Sequence, residues 1–357
     1  MRREILIYAS SHTNADMFYF AGLSIPDAFF AFTNNGKRCA ILSPLEIGRA
    51  RKHSNFANIY ELDDEIKIFK HLKLRKFLIP KDFPANIYKK LIDAKFDIKI
   101  AEGSLFKERE IKSDFEASQI KRANAISQKA YARIIEILAN SSIAKNLDLI
   151  YEKQALTSEF IKREIDLICL YDNARAESTI VASGEQACDP HNEGSGKIKA
   201  NTQIICDIFP RLNDSKYFGD MTRTFLKGVA TKEQIAIYNA VKKAQGIAIE
   251  NLKANCIASS IHKKVCNSFE KDGFNTYNKN GSWRGFFHST GHGVGLDIHE
   301  EPRLSIANNV LKEDSVVTVE PGLYYPKIGA CRIEDCVRLK KNGVEMLSNF
   351  GYDWQIR

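Results

Sequence analysis

Hydrophobic positions in the first hundred residues fall in short runs separated by polar ones. Ile5–Ala9, Ala28–Phe32, Cys39–Ser43, Lys76–Pro80 and Phe96–Ile100 are strand-sized and rich in β-branched and aromatic side chains, which predicts strands. Residues 84–95 space their apolar side chains as a helix that would cover one face of that sheet. No glycine-rich turn follows the first run, so a dinucleotide-binding domain is disfavoured.

Near Ile111 the period changes. Ser113 stands three residues before Glu116, the pattern of a reciprocal helix cap. Behind it Ile120, Ala123, Ser127, Ala130, Ile134 and Leu138 recur at helical spacing. The domain boundary is placed just before this helix, separating a smaller α/β domain (1–110) from a second domain (111–350). In the second, helices are expected over 158–171, from Thr231 with Gln234 as its capping partner, and over 258–271 with Gly273 as the stop. Strands are expected over 178–183, 203–209, 221–226, 315–321 and 329–335. The class is therefore α+β, with two helix-then-strand halves (113–228 and 231–337) that suggest a diverged duplication.

Composition narrows the function. The chain has 357 residues, 44% hydrophobic and 27% charged, which suits two packed domains and excludes a disordered chain. The net charge of +8 is spread without a block of like charges and argues for neither nucleic acid nor membrane. The apolar runs are too short for a membrane span, and the N-terminal stretch is too polar after Ala9 for a signal peptide. The eight cysteines form no CxxC pair and read as small buried hydrophobes in a reducing, cytoplasmic compartment. Lys67, Lys70, Lys73 and Lys76 read as a solvated face. His12, His53, His71 and His262 read as surface or helix residues without convergent partners, and Gly194-Ser195-Gly196 as a mobile loop near His191.

The remaining polar residues carry chemistry. Asp207 interrupts an apolar strand, a costly place for a carboxylate without a cation or donors nearby. Asp220 begins the next strand, and antiparallel pairing would put both on one face. Glu320 ends an alternating run, and Glu334 lies beside Ile333 on another strand. Between them HSTGHGVGLDIHE (288–300) holds three of the chain's eight histidines, with glycines around His292 that suit a sharp bend or a close approach to substrate. Four converging carboxylates call for roughly four compensating positive charges, which two divalent metals supply. An oxygen-rich site with one imidazole suits manganese, cobalt, zinc or iron, and a metal pair that generates a shared hydroxide points to hydrolysis.

The ordered strings Asp207, Asp220-Met221-Thr222-Arg223-Thr224, Gly291-His292-Gly293-Val294-Gly295, His299-Glu300, Val319-Glu320-Pro321-Gly322 and Arg332-Ile333-Glu334-Asp335 resemble the pita-bread metallopeptidases. That family includes Xaa-Pro aminopeptidase, Xaa-Pro dipeptidase (prolidase) and methionine aminopeptidase. The resemblance covers about residues 113–345. The first domain resembles, more weakly, the creatinase-like N-terminal domain of the proline-specific members, through Tyr19-Phe20-Ala21-Gly22. It implies that Asp207 binds one metal, that Asp220 and Glu334 bridge both, and that His292 and Glu320 complete the other, most commonly with Mn2+. It implies that Glu320 also shuttles a proton, that His299 donates to the substrate carbonyl or oxyanion, and that His191 faces the N-terminal side of the substrate. His288 and Arg332 match the proline-directed branch, where they seat the proline side and order the metal carboxylates. The implied activity is hydrolysis of the bond before proline in short peptides by a homodimer. The alternatives are a methionine aminopeptidase-like enzyme and a binding module on the same fold. The Asp207–Asp220 connection is longer than is usual in the family, an even-numbered insertion that keeps the facing of both side chains and bears on the pocket more than on the metal site.

Overall fold

The computed structural model describes residues 3–357. The chain divides into two compact units, Met1–Glu108 and Arg109–Arg357.

The first unit is built on a six-stranded sheet in the order Asn58–Glu61, Lys37–Leu42, Phe29–Asn34, Glu4–Ala9, Lys76–Ile79, Asp97–Ile100. Its three central strands pair antiparallel and the outer connections are parallel. Alternation divides the side chains between two cores: Leu6, Phe30 and Phe32 pack in one, Ile7, Phe29 and Ala31 in the other. All five expected strands and the helix Ala85–Asp93 are present. The expectation lacked the edge strand Asn58–Glu61 and the helices Ala15–Ala21, Pro44–His53 and Glu65–His71. The helices Ala15–Ala21 and Glu65–His71 are seven residues each, too short for a helical period to stand out; Pro44–His53 buries only Ala50, and Asn58–Glu61 has only Ile59 and Tyr60, both half-buried. Lys67 and Lys70 are exposed on the helix Glu65–His71, whose Phe69 turns inward.

The second unit opens with the helix Asp114–Ala139, where Ser113 and Glu116 form the reciprocal cap. Its inner face, including Ile120, Ala130 and Ile134, packs with the helix Ser158–Tyr171 against the strands Ile204–Ile208 and Met221–Lys227. A second pair, Lys232–Asn251 (capped by Thr231 and Gln234) and Ala258–Lys271, covers the strands Val316–Val319 and Asp335–Lys340. Each helix pair thus seals the outer face of its own sheet, and the α+β pita-bread architecture is what the chain adopts. The five-stranded sheet runs Glu300–Leu304, Gly291–Gly293, Val316–Val319, Asp335–Lys340, Gly343–Met346.

One strand differs in a way that matters. The expected strand 329–335 is two: Gly329–Arg332 pairs with Gly322–Tyr325, while Asp335–Lys340 joins the larger sheet. Glu334 lies at the break and bridges to Thr222. All eight cysteines are free thiols, five of them buried. Among the described residues no helix is long and apolar enough to cross a membrane. The loop at Gly194-Ser195-Gly196 is tethered rather than loose: Gly194 N–H donates to Asn192 Oδ1, Gly196 N–H to Glu159, and Ser158 N–H to Gly196 O.

Candidate metal centre

A cavity of about 670 Å³ in the second unit is lined by all nine residues expected at the site: His191, Asp207, Asp220, His288, His292, His299, Glu320, Arg332 and Glu334. Its floor is set by strand pairing. Asp207 stands opposite Thr222 in the antiparallel register, and Asp220 precedes Thr222 by two residues, so both aspartates share a face. The backbone of Asp220 is fixed from the long helix, its N–H donating to Asn124 Oδ1 at 2.8 Å.

Asp220, His292 and Glu334 each offer a ligand atom within 4.8 Å of the others, and all three are buried. His292 Nε2 lies 3.6 Å from Asp220 Oδ2 and 3.3 Å from Glu320 Oε1. Its Nδ1 sits 3.1 Å from Gly293 O, a bond in which the ring N–H donates and Nε2 turns a lone pair toward the carboxylates. Thr222 Oγ1 donates to Glu334 Oε2 at 2.8 Å. Two glycines allow this arrangement: a Cβ on Gly291 would lie 1.9 Å from Thr318 O, and one on Gly293 2.4 Å from Glu301 O. The glycines around His292 therefore allow the close approach of neighbouring chain segments.

Metallopeptidase family M24 has a family model that matches residues 118–341. An Xaa-Pro dipeptidase of Pyrococcus horikoshii is 30% identical over 345 residues, covering 94% of this chain and 90% of the relative. An uncharacterised peptidase of Methanocaldococcus jannaschii is 36% identical over 304 residues, covering 84% and 79%. The solved structure of an Xaa-Pro dipeptidase from Bacillus anthracis aligns with a TM-score of 0.85 at 25% identity, over 99% of this chain and 95% of that one. The chain belongs to metallopeptidase family M24.

The side chains of this site fit divalent cations. Asp207 Oδ1 is buried without a hydrogen-bond partner. Burial, then the charges of Glu334, Asp207 and Glu320, push the Asp220 carboxyl well above the ordinary carboxylate range. Burial, then Glu320 and Asp207, do the same to Glu334. Burial is also the main cause that lifts Glu320 to about 7, against the nearby Arg332 charge. Burial and then His299 bring His292 down to about 3. Crowded carboxylates around an unprotonated imidazole form a donor set for divalent metal, giving the chain both the fold and the ligand triad of a metal-dependent peptidase.

Beside the triad, Arg332 Nη2 donates to Asp207 Oδ2 at 2.7 Å and Nη1 donates to Tyr324 Oη at 3.1 Å. Tyr324 Oη is 3.0 Å from His288 Nε2, and His288 Nδ1 is 2.8 Å from Ser289 O. Burial and then Arg332 lower His288 to about 3, so its ring is neutral. His299 stacks edge-on to His292 with centroids 4.4 Å apart, outside the triad. His191 lines the cavity but is exposed.

Four participants were missed from sequence. Tyr324 follows Glu320 by one strand turn and had no partner to suggest it. Thr222 lay inside a recognised string without a role, and its position opposite Asp207 exists only through strand register. Arg303 lines the cavity and has no carboxylate ion pair among the described residues. His262, read as partnerless, is half-buried with Nδ1 2.8 Å from Thr290 Oγ1, and the Thr290 carbonyl accepts the Glu320 N–H at 2.8 Å. Burial lowers its pKa. The helix Ala258–Lys271 carries it inward, a placement that helical spacing alone did not mark.

Proposed function

We propose that the chain hydrolyses the bond preceding proline in dipeptides. The observation that carries this reading is the cavity itself. One wall presents the metal-type carboxylates, and the adjoining wall presents Phe287 and His288, backed by the buried Tyr324, with ring centroids 5.4 to 6.3 Å apart. A pyrrolidine ring fits such a wall, and an Xaa-Pro bond has no N–H to satisfy. That the Pyrococcus horikoshii relative is an Xaa-Pro dipeptidase points the same way.

Asp207, Asp220, His292, Glu320 and Glu334 would hold two divalent cations, with Mn2+ as the proposed metal. Such cations supply Lewis-acid polarisation of the scissile carbonyl and a water acidic enough to attack at neutral pH. Glu320, whose Oε1 lies 3.3 Å from His292 Nε2, would shuttle a proton to the departing proline nitrogen. His299 donates to the carbonyl oxygen, His191 faces the substrate's N-terminal side, and Arg332 keeps Asp207 oriented. Arg303 lines the cavity with no ion pair among the described residues and would donate to the C-terminal carboxylate of a dipeptide, which favours dipeptidase over aminopeptidase action. A homodimer is the proposed assembly.

Rates on Ala-Pro, Ala-Pro-Ala and Met-Ala-Ala with added manganese test the reading. Ala-Pro is expected to be cleaved best, and Arg303→Ala is expected to raise KM for Ala-Pro while leaving Ala-Pro amide unchanged. Best cleavage of Met-Ala-Ala would place the chain with the methionine aminopeptidases, and no cleavage of any peptide with manganese bound would favour the binding module.

A further inference from the structure

Asp220 and Glu334 come from chain segments more than a hundred residues apart, yet their ligand atoms must meet within ångströms. The segments meet at an isolated bridge, Thr222 to Glu334, where the Glu334 N–H donates to Thr222 O at 3.0 Å, and beside it Thr224 Oγ1 donates to Arg332 O at 2.8 Å. A single buried guanidinium closes that crossing from behind. Arg223 Nη1 donates to Thr222 O at 2.9 Å and to Glu334 O at 2.7 Å. Nη2 donates to Asp335 Oδ1 at 2.8 Å and to Phe350 O at 3.0 Å, and Nε to Gly351 O at 3.3 Å. All five N–H donors of the side chain are therefore used, on four backbone carbonyls from three chain segments and on one carboxylate.

Its counter-ion is equally saturated. Asp335 Oδ1 also accepts from Ser348 Oγ, and Oδ2 accepts from Gln245 Nε2 and from the Tyr352 hydroxyl. Side-chain exposure is 2% for Arg223 and 1% for Asp335, and the Tyr352 ring lies under the guanidinium at 4.9 Å. A buried pair kept only for stability can be replaced by apolar side chains of similar volume; a five-donor fork on two ligand-bearing segments fixes geometry.

We infer that Arg223 is a positioning residue of the metal centre, holding Glu334 in register with Asp220, and that the segment Ser348–Tyr352 holds Arg223 in turn. That segment lies beyond the stretch 118–341 matched by the family model. The inference rests on the reading of Asp220 and Glu334 as metal ligands.

Equilibrium dialysis of metal-stripped protein against manganese(II), with kcat and KM at saturating metal, tests it on the full chain. Arg223→Lys keeps the charge but not the planar fork; it is expected to weaken manganese binding and lower kcat by about tenfold or more, the usual size for lost support of a metal ligand, with KM nearly unchanged. Tyr352→Phe removes only one hydroxyl from Asp335 and is expected to move both quantities in the same direction by roughly threefold, below that range. Ile134→Val, a core truncation outside the network, is expected to lower the melting temperature and change neither. Arg223→Lys with wild-type manganese affinity and kcat would overturn the inference. If that variant does not fold, Tyr352→Phe with unchanged affinity and kcat overturns it. Wild-type protein that takes up no manganese instead overturns the reading of the ligands.

Discussion

The Arg332 guanidinium is bound to Asp207, 2.7 Å from its Oδ2, while the other oxygen of that carboxylate stays buried and unpartnered. One oxygen is thus held by the protein and the other left for a cation. Arg332→Met is therefore predicted to retain metal while kcat falls about 10- to 100-fold, as when other groups that orient a ligand are lost. Metal analysis alongside steady-state rates checks this. Loss of metal together with activity would show that Arg332 governs affinity, not orientation.

Asp220 and Glu334 supply the two carboxylates of the buried triad with His292. Asp220→Ala and Glu334→Ala are each predicted to remove at least one metal and nearly all turnover. Inductively coupled plasma analysis of purified variants gives the metal count. Two metals and full activity in either variant would end the dinuclear assignment.

How much of this was legible in the sequence depends on whether a feature is local. Capping boxes at Ser113 and Thr231, and the apolar faces behind them, are written within a few residues and appear as expected. The site residues were legible because each lies in a short distinctive string, and the cavity gathers all nine. What escaped was relational. Thr222 matters because register places it opposite Asp207, and Tyr324 because a hairpin brings it between His288 and Arg332. The split of 329–335 into two strands was hidden for a similar reason: the apolar pattern is continuous, and only pairing with two different sheets breaks it.

His299 meets His292 edge-on with ring centroids 4.4 Å apart, and on the proposed reading it acts on the substrate and does not bind metal. His299→Ala is predicted to keep its metal while kcat drops by about 10²- to 10⁴-fold, the range for a lost proton donor or oxyanion contact. The measurement is metal content together with single-turnover rate. Metal loss would move His299 into the ligand set.

Glu300, next in the chain, has a different task. Its carboxylate accepts from Lys112 Nζ at 3.0 Å and from Arg109, with side-chain exposure of 2% for Lys112 and 7% for Glu300. Burial alone would raise its pKa, but Lys112 and Arg109 together bring it below the ordinary value. A carboxyl depressed on folding contributes stability that is complete above its unfolded pKa and is lost as pH falls through the folded one. Glu300→Gln is predicted to cost about 3–5 kcal/mol at neutral pH, as for a broken buried pair. The gap to wild type should narrow below about pH 4, the unfolded carboxyl range. Urea unfolding at pH 7 and pH 3 reads both values; a gap of the same size at each pH would contradict the ion-pair account.

The proposed proline preference would rest on the neutral ring wall, and the prediction concerns His288. Its Nδ1 faces the Ser289 carbonyl and its Nε2 the Tyr324 hydroxyl, so the imidazole is held in one orientation and its face is what a substrate meets. Because burial keeps the ring neutral down to about pH 3, that face carries no charge at any pH where the enzyme would work. A pyrrolidine packs against it without asking for a hydrogen bond, whereas the secondary amide of Ala-Ala brings an N–H that the wall leaves unpaired. His288→Ala is predicted to lower kcat/KM for Ala-Pro by about 10- to 200-fold, the discrimination a lost apolar contact of this size gives, while Ala-Ala changes little. Tyr324→Phe frees the ring from its anchor and is predicted to shift the ratio in the same direction by a smaller factor. The rates of both dipeptides on wild type and the two variants decide the matter. A ratio that survives His288→Ala would move proline selection away from this wall to another part of the cavity.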